Sequence, residues 1–428
     1  MEELTLLYQS YNAPLECPVT RTQQRGTEPA RSDSFSYNGR NELTAATLGA
    51  APYGYSYDNI GNRKTAREPA EELAYAANGL NQYTDIEESG EAPFVPTYDA
   101  SGNQTLIKTS TGIWTAVYNA ANRAVSFTSR NGNTIIECGY DYQGRRYMKK
   151  VTQNGTVASH ERYLYRGYLQ IAAQDMLDNR NVLRTLLWDP LEPVATRPLA
   201  LVQGASLYCY GVDFNKNVSE VFDAQGTIAA AYDYSPYGAV TGTGSLGQPV
   251  QWSGEMHDED FALVYYNYRF YNPRDGRWIN RDPITEQGGW NLYAFLGNST
   301  QDKFDTFGLQ ALDSLSNTVI QGLAAGKISE VATLLGYSTA AALVAALTEG
   351  GYKLKCKACN PPVGSQRQQC HRNHTHNGWN PHYHIFTVNQ SPIVADCRCF
   401  DKRTTISNNH NYPEYTGRPT GGGIEVIK

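Results

Sequence analysis

The chain has 428 residues, 18% of them charged and 40% hydrophobic, and its net charge is −6. This length exceeds one ordinary core, and the composition excludes a wholly disordered chain. The charge is unevenly distributed, because residues 1–309 carry 25 basic and 35 acidic side chains whereas residues 310–428 carry 11 and 7. Six of the eight histidines and five of the eight cysteines follow residue 350. The sequence therefore indicates two different proteins joined near residue 309.

The N-terminal residues lack a basic region followed by an apolar run, so a signal peptide is not predicted from them. A short unit then recurs, in which Tyr-Asp or Tyr-Asn is followed by Gly or Ala and a polar residue. Its clearest copies are YDNIGNR (57–63), YDASGNQ (98–104) and YDYQGRR (140–146). With the looser copies that start at Tyr37, Tyr75 and Tyr118, consecutive copies start about 20 residues apart, which is typical of repeat proteins. Tyr ends a strand, Asp accepts hydrogen bonds from the turn, and Gly supplies a positive φ.

The chain contains 31 tyrosines. Such amphipathic rings suit half-buried strands, so we expect packed rings with hydroxyls in water. No single repeat buries its own apolar face, and we therefore expect neighbouring repeats to form one continuous sheet.

These repeats resemble the YD repeats of RHS proteins, which include bacterial RHS toxins, the C component of insecticidal toxin complexes, and teneurins. The resemblance implies a mainly β fold over residues 1–231, a YD-repeat β-shell of which this chain holds part. A solid β-solenoid or a propeller is the alternative architecture. Because the chain starts inside the repeat series, we expect the remainder of a longer RHS shell as its partner.

Residues 232–309 resemble the RHS-associated core. The matching segments, in order, are Tyr234–Gly238, Tyr268–Asp275, Gly276–Trp278, Arg281–Pro283, Gly288–Tyr293 and Asp305–Leu309. In that family this segment closes the shell and acts as an intramolecular aspartyl protease.

The resemblance implies that Asp282 and Asp305 are the catalytic pair and that Arg281 is the neighbouring cation. The cleaved bond is then Leu309–Gln310. Two carboxylates at short range do not both ionise, so one acts as an acid while the other activates water. The local alternative is that Asp282 and Asp305 are ordinary turn residues.

Two positions depart from the family pattern. Thr306 stands where the family usually has Pro, and Gly297–Thr300 stands where it usually has Asn-Asn-Pro. Loss of a proline that fixes φ is expected to loosen the loop that presents the bond.

Residues 310–428 follow the cut, where RHS proteins carry their variable toxin, and we predict a small α+β domain there. Helices are predicted between residues 310 and 350, with Ser338 or Thr339 as a cap. Residues 331–348 are free of charge, so insertion into a membrane is the competing prediction, although their weak apolarity favours a soluble helical hairpin.

Residues 351–428 hold clustered Cys and His residues. Cys356, Cys359, Cys397 and Cys399 have the spacing of a zinc site, and two disulfides are the alternative. The run HYHIFTV predicts a strand that presents His382 and His384 on one face. These two histidines, with His374 and His376, are candidate catalytic residues for nucleic-acid cleavage or further metal ligands. A purely structural role for the histidines is the alternative.

Together these features predict a polymorphic toxin whose shell encloses and autoproteolytically releases an effector. The effector is predicted to attack nucleic acid in a competing or host cell; a membrane-permeabilising effector and a non-enzymatic binding module are the alternatives. We expect secretion or cell-surface delivery with membrane contact, possession of a cognate immunity protein by the producing cell, and no cofactor in the shell.

Overall fold

A computed structural model describes residues 6–11, 18–190, 197–213, 215–305 and 307–309, and the backbone of short strands between 312 and 427. The chain divides into two compact units, Met1–Ser314 and Leu315–Lys428. The helices predicted between 310 and 350 lie outside the described residues. Among the residues that are described, no helix is both long and apolar enough to cross a membrane, and the segment 331–348 is not among them.

The first unit contains two antiparallel meanders, in which every strand pairs with the next one along the chain. The first has eight strands: β1 (Leu6–Tyr11), β2 (Pro18–Gln24), β3 (Arg31–Tyr37), β4 (Leu43–Leu48), β5 (Ala51–Tyr57), β6 (Arg63–Arg67), β7 (Glu72–Ala77) and β8 (Tyr83–Glu88). The second has fourteen: β9 (Thr97–Tyr98), β10 (Gln104–Thr109), β11 (Gly112–Tyr118), β12 (Ala124–Ser129), β13 (Thr134–Tyr140), β14 (Arg146–Gln153), β15 (Thr156–Arg166), β16 (Leu169–Asp175), β17 (Asn181–Trp188), β18 (Pro198–Gln203), β19 (Ser206–Val212), β20 (Val218–Phe222), β21 (Ile228–Tyr234) and β22 (Val240–Gly244).

The mainly β fold is as predicted, but the repeats form two sheets rather than one. The break falls between β8 and β9, where only an isolated bridge joins Ile86 to Phe94. Pro93 and Pro96 lie in this connection. Because proline has no amide hydrogen to donate to a ladder, a continuous sheet is disfavoured at this point.

The repeat unit forms a tight turn, as its sequence predicted. Asp58 Oδ1 accepts hydrogen bonds from the amides of Ile60 (3.0 Å) and Asn62 (2.8 Å), and Gly61 has a φ of +86°. The strand register shifts between Ser56 and Tyr57, so a β-bulge accompanies the turn. The same arrangement recurs at Asp99 and Asp141.

The prediction that the repeat tyrosines keep their hydroxyls in water is wrong for Tyr57 and Tyr140 of the clear copies, and also for three other tyrosines at or near strand ends. Each of these five hydroxyls donates instead to the carbonyl at the start of the preceding strand. The pairs are Tyr57–Leu43 (2.6 Å), Tyr118–Gln104 (2.8 Å), Tyr140–Ala124 (2.7 Å), Tyr165–Arg146 (2.8 Å) and Tyr234–Val218 (2.7 Å). Burial raises the pKa of these phenols well above the ordinary value. Each buried hydroxyl thereby has a hydrogen-bond partner, as a polar group removed from water requires.

Residues 232–309 include the end of β21 and all of β22, and the rest of this segment packs against both meanders. This remainder forms the strands β23 (Met256–Asp258), β24 (Leu263–Tyr266), β25 (Arg269–Asn272), β26 (Arg277–Trp278) and β27 (Lys303–Phe304), and the 3₁₀ turns Trp252–Gly254, Thr285–Gln287 and Leu296–Asn298. Tyr237 packs on Tyr55 of the first meander at 4.8 Å between ring centroids, and Phe261 stacks on Phe127 of the second at 4.5 Å. This segment therefore shares its core with the repeats on both sides.

The chain continues from β27 into β28 (Leu312–Asp313), which pairs with it antiparallel. The described strands of the second unit are β29 (Lys353–Cys356), β30 (Gln366–His371), β31 (His382–Gln390), β32 (Arg398–Ile406), β33 (Thr416–Gly422) and β34 (Ile424–Ile427). Strand β29 pairs with β34, and β30 to β33 form a second antiparallel sheet in that order.

Candidate cleavage site

The predicted scissile bond, Leu309–Gln310, lies in the loop between β27 and β28. Gly308 occupies this loop with a φ of +73°. A Cβ at this position would approach the carbonyl oxygen of Tyr266 to 2.9 Å and the amide nitrogen of Arg269 to 3.2 Å. Only glycine satisfies both the dihedral angle and this close approach to β24 and β25.

Asp305 begins the loop and is 2% exposed. Its Oδ1 accepts hydrogen bonds from the amides of Phe307 (3.0 Å), Gly308 (2.8 Å) and Leu309 (3.3 Å). Asp305 Oδ1 therefore holds the loop in a tight turn, and Asp305 Oδ2 remains available for other contacts.

Asp282 is joined to Asp305 through Arg269, a buried residue of β25. One terminal nitrogen of the guanidinium lies 2.8 Å from Asp282 Oδ2 and 3.9 Å from Asp305 Oδ2. Its Nε donates to the carbonyl of Gly308 at 2.5 Å. Arg269 thus contacts both carboxyl groups and the loop that precedes the scissile bond.

The Leu309 carbonyl lies beside Asp282. A Cβ added to Gly288 would meet Asp282 Oδ2 at 2.4 Å and the Leu309 carbonyl oxygen at 3.0 Å, so both oxygens flank the same small space. Any side chain at residue 288 would occupy that space. The absence of a side chain lets the carbonyl of the predicted bond approach one member of the aspartate pair.

The electrostatics favour a single negative charge on the pair. Burial raises the pKa of both Asp282 and Asp305, and the positive charge of Arg269 opposes that rise. Burial also lowers the pKa of Arg269 to about 10, so this residue stays charged at neutral pH. The pKa values of both carboxyl groups are raised, and one buried cation lies between them. The net charge of the site is therefore zero when one aspartate is ionised and the other is protonated.

A third carboxyl group, Glu255, is buried near this pair. Its pKa is raised well above the ordinary value, first by burial and then by the charge of Asp305. Within the described part of the chain, its Oε1 has no hydrogen-bond partner. Burial and the nearby charge of Asp305 therefore both favour the uncharged form of Glu255.

Sequence reasoning named Arg281 as the neighbouring cation, but among the described residues Arg269 is the cation that contacts both aspartates. The exposed Arg281 side chain lies against Gly102. Arg269 was missed because its partners are distant in sequence. The sequence did contain one indication of its role. The aromatic run YNYRFYN predicts a buried strand, and an arginine within such a strand requires a buried carboxylate as its partner.

Thr306, where the family usually has proline, lies outside the described residues. The other departure, Gly297–Thr300, is anchored to its surroundings. Asn298 donates to the carbonyl of Gly61 at 2.9 Å, and Thr300 donates to that of Pro236 at 2.5 Å. These contacts fix the segment to a repeat turn and to the loop at Pro236.

The second unit places two of the predicted toxin residues together. Strand β31 begins at His382 and includes His384, and His382 pairs in register with His371 of β30. Cys356 ends β29 and Cys399 lies in β32, which belong to different sheets. His374, His376, Cys359 and Cys397 lie outside the described residues.

The match to a known family lies within the first unit. A family model described as Teneurin YD-shell matches residues 16–299. The tRNA3(Ser)-specific nuclease WapA of Bacillus spizizenii is 26% identical over 259 residues, which are 57% of this chain and 10% of that protein. Toxin protein Tse5 of Pseudomonas aeruginosa is 27% identical over 322 residues, 62% of this chain and 24% of that protein.

A shorter match reaches higher identity. The double-stranded DNA deaminase toxin A of Burkholderia cenocepacia is 38% identical over 85 residues, 18% of this chain and 6% of that protein. The chain thus spans at most about a quarter of the length of these three relatives.

Among solved structures, the crystal structure of TcdB2-TccC3-Cdc42 matches with a TM-score of 0.51 and 16% identity, covering 71% of this chain and 18% of that one. At this identity the likeness concerns the fold alone. It agrees with a YD-type β-shell for the repeats.

Proposed function

The chain belongs to the Teneurin YD-shell family, and from that premise we propose that it is the C-terminal part of an RHS toxin that cleaves itself after Leu309. The observation that carries this proposal is the position of the Leu309 carbonyl beside Asp282, with Arg269 linking that carboxyl group to Asp305. Ordinary turn residues have no need of a shared buried cation or of a carbonyl held in this position.

In the proposed reaction, water attacks the carbonyl carbon of Leu309 and gives its proton to the ionised aspartate. The protonated aspartate donates its proton to the carbonyl oxygen, forming a tetrahedral intermediate. The C–N bond then breaks as the aspartate that took the proton from water passes it to the nitrogen of Gln310, while the other aspartate recovers a proton from a hydroxyl of the intermediate. This leaves a carboxylic acid on Leu309 and a free amine on Gln310, and both aspartates return to their starting states. Arg269 stabilises the single negative charge throughout.

The released product is residues 310–428, for which we propose toxicity through nucleic acid. The names of three relatives describe a tRNA nuclease, a DNA deaminase toxin and a toxin. The basic balance of residues 351–428, with 10 basic and 4 acidic side chains, also supports a nucleic-acid target. His382 and His384 are the proposed catalytic groups, with His374 and His376 beside them in sequence.

We further propose that Cys356, Cys359, Cys397 and Cys399 are the ligands of a bound zinc ion. Four thiolates are a donor set that suits tetrahedral Zn²⁺, and a metal compensates for the small apolar content after residue 350. Metal analysis of the purified full chain, with and without thiol-specific labelling, distinguishes bound zinc from two disulfides.

The proposal includes delivery of the toxin outside the producing cell, with membrane contact during transfer. The partners are the remainder of a longer shell and an immunity protein in the producer. Co-expression of candidate neighbouring proteins with the full chain tests the immunity partner by rescue of growth.

Self-cleavage is tested by expressing the full chain and sequencing the N-terminus of the smaller product. We expect two fragments on a denaturing gel, the smaller beginning at Gln310. Asp305→Asn and Asp282→Asn are expected to stay at full length. Glu286→Gln, which alters an exposed acid in the same loop as Asp282, is the matched control and is expected to cleave. A wild-type chain that stays whole, or an Asp305→Asn chain that still separates, contradicts the mechanism.

A further inference from the structure

The loop that carries the scissile bond is also held by the repeat sheet. Phe307, two residues before Leu309, packs edge-on against Tyr168 at 5.0 Å between ring centroids. Tyr168 lies in the two-residue turn between β15 and β16 and belongs to the repeats, not to the segment that carries the two aspartates.

Tyr268, in the connection immediately before β25, completes the contact. Its backbone amide donates to the carbonyl of Phe307 at 2.9 Å, and its hydroxyl shares a 2.5 Å hydrogen bond with that of Tyr168. The Phe307 main chain and ring are therefore fixed from two sides. One side is adjacent to Arg269, and the other is a hairpin of the second meander.

A second repeat residue supports this contact from behind. The Arg123 guanidinium lies over the Tyr268 ring at 4.4 Å, and it donates to the carbonyl of Asn267 at 2.7 Å. Two separate repeat turns thus meet the short connection between β24 and β25. The same connection leads into Arg269, which contacts both aspartates.

We propose that Tyr168 and Tyr268 form a binding pocket for Phe307, so that the repeat hairpin β15–β16 positions the scissile bond for cleavage. This inference rests on the proposed self-cleavage. Tyr168 is a positioning residue, since it touches neither aspartate in the contacts described. Its consequence is an order of events: the bond reaches Asp282 only after this hairpin has folded against residues 232–309, and the toxin is not released from a half-folded shell.

The test follows the rate at which newly translated full-length chain separates into two fragments. Tyr168→Ala removes the pocket wall and is expected to slow separation about tenfold, because a small displacement of a reacting bond has a large effect on rate. Tyr168→Phe keeps the ring and is expected to restore the rate to within about threefold of the wild type. Tyr142→Ala, at a 93% exposed position in another turn of the same sheet, is the matched control.

A double-mutant cycle separates positioning from general damage to the fold. Phe307→Ala is expected to slow cleavage as much as Tyr168→Ala, and the double variant no further, because both remove one contact. Thermal unfolding of each variant in the uncleavable Asp305→Asn chain reports on the fold independently of cleavage.

Wild-type rates in Tyr168→Ala or Phe307→Ala overturn the pocket, as do effects that simply multiply in the double variant. If the wild-type chain itself is never cut at Leu309, the self-cleavage proposal fails instead. The two failures are therefore distinguishable in one experiment.

Discussion

At the scale of single residues, the site depends on one buried cation serving two acids. Replacing Arg269 by Gln leaves Asp282 and Asp305 without a counter-charge, so burial would drive both towards the protonated form. We expect cleavage of Arg269→Gln to slow by about 100-fold, the usual effect of removing one group that stabilises a developing charge. Arg281→Gln is expected to slow it far less. The reverse order, measured as fragment formation over time, would return the role of cation to Arg281.

The pH dependence of cleavage follows from the same pair. Burial raises the pKa of Asp282 and of Asp305, so the state with one shared proton persists to higher pH than for free carboxyl groups. The rate should fall as pH rises through the upper pKa of the pair, because no acid then remains, and fall again in strong acid, because no base remains. Refolding the denatured chain into buffers of graded pH measures this profile. A rate that climbs steadily into alkaline pH would exclude the shared-proton mechanism.

At the scale of elements, the core segment, residues 232–309, gives the stability of the fold a second and separate pH dependence. Burial lowers the pKa of His257, in β23, to about 4. The unfolded chain takes up a proton near pH 6.5 and the folded chain does not, so stability is present above that pH and is lost as pH falls towards 4. The difference between the pKa of His257 in the unfolded and the folded chain corresponds to about 3 kcal/mol of folding free energy. Denaturant unfolding of the Asp305→Asn chain between pH 7 and 4 measures the loss, and His257→Gln should reduce its slope. An unchanged slope would assign the effect to other groups.

The neighbouring residue of β23, Asp258, titrates in a different window. Its burial alone would raise the pKa, but the charges of Lys149 (2.5 Å) and Arg146 (3.0 Å) on β14 outweigh burial and lower it. Its contribution is therefore lost only as pH falls below the ordinary carboxyl range. These pairs tie the core segment to the repeat sheet, so acid is expected to loosen this contact after His257 has been protonated.

Elements that rest on local chemistry were predictable from the sequence. The turn at Asp58 needs only the Asp58 carboxylate as hydrogen-bond acceptor, Gly61 and the strand-ending Tyr57. All three lie within five consecutive residues. The partner of the Tyr57 hydroxyl was not predictable, because the Leu43 carbonyl comes within reach only when β4 pairs with β5 in the folded sheet. Asp282 and Asp305 were identified through family resemblance. Arg269 becomes their partner only when β25 packs beneath the loop.

At the scale of the whole molecule, the chain combines an acidic repeat unit with a basic tail, and the bond predicted to be cut lies within the first unit. The boundary between the units follows Ser314, whereas the predicted cut precedes Gln310. In the uncut chain, residues 310–314 belong to the first unit, where β28 pairs with β27. If the proposed cut occurs, we expect release of the tail to require separation of this two-residue pairing, which is a small barrier.

The final prediction concerns what the released tail does. In a sensitive cell, inducing the full chain should cause loss of RNA or DNA integrity, and the uncleaved Asp305→Asn chain should be less toxic. His382→Ala and His384→Ala should abolish toxicity without affecting cleavage, because β31 lies in the second unit and the aspartates lie in the first.

Membrane potential is recorded in parallel. Depolarisation with intact nucleic acid would favour insertion of residues 331–348 instead, and absence of any toxicity after confirmed cleavage would leave a binding module. Retained nucleic-acid damage in both histidine variants would show that the catalytic groups lie elsewhere in the tail.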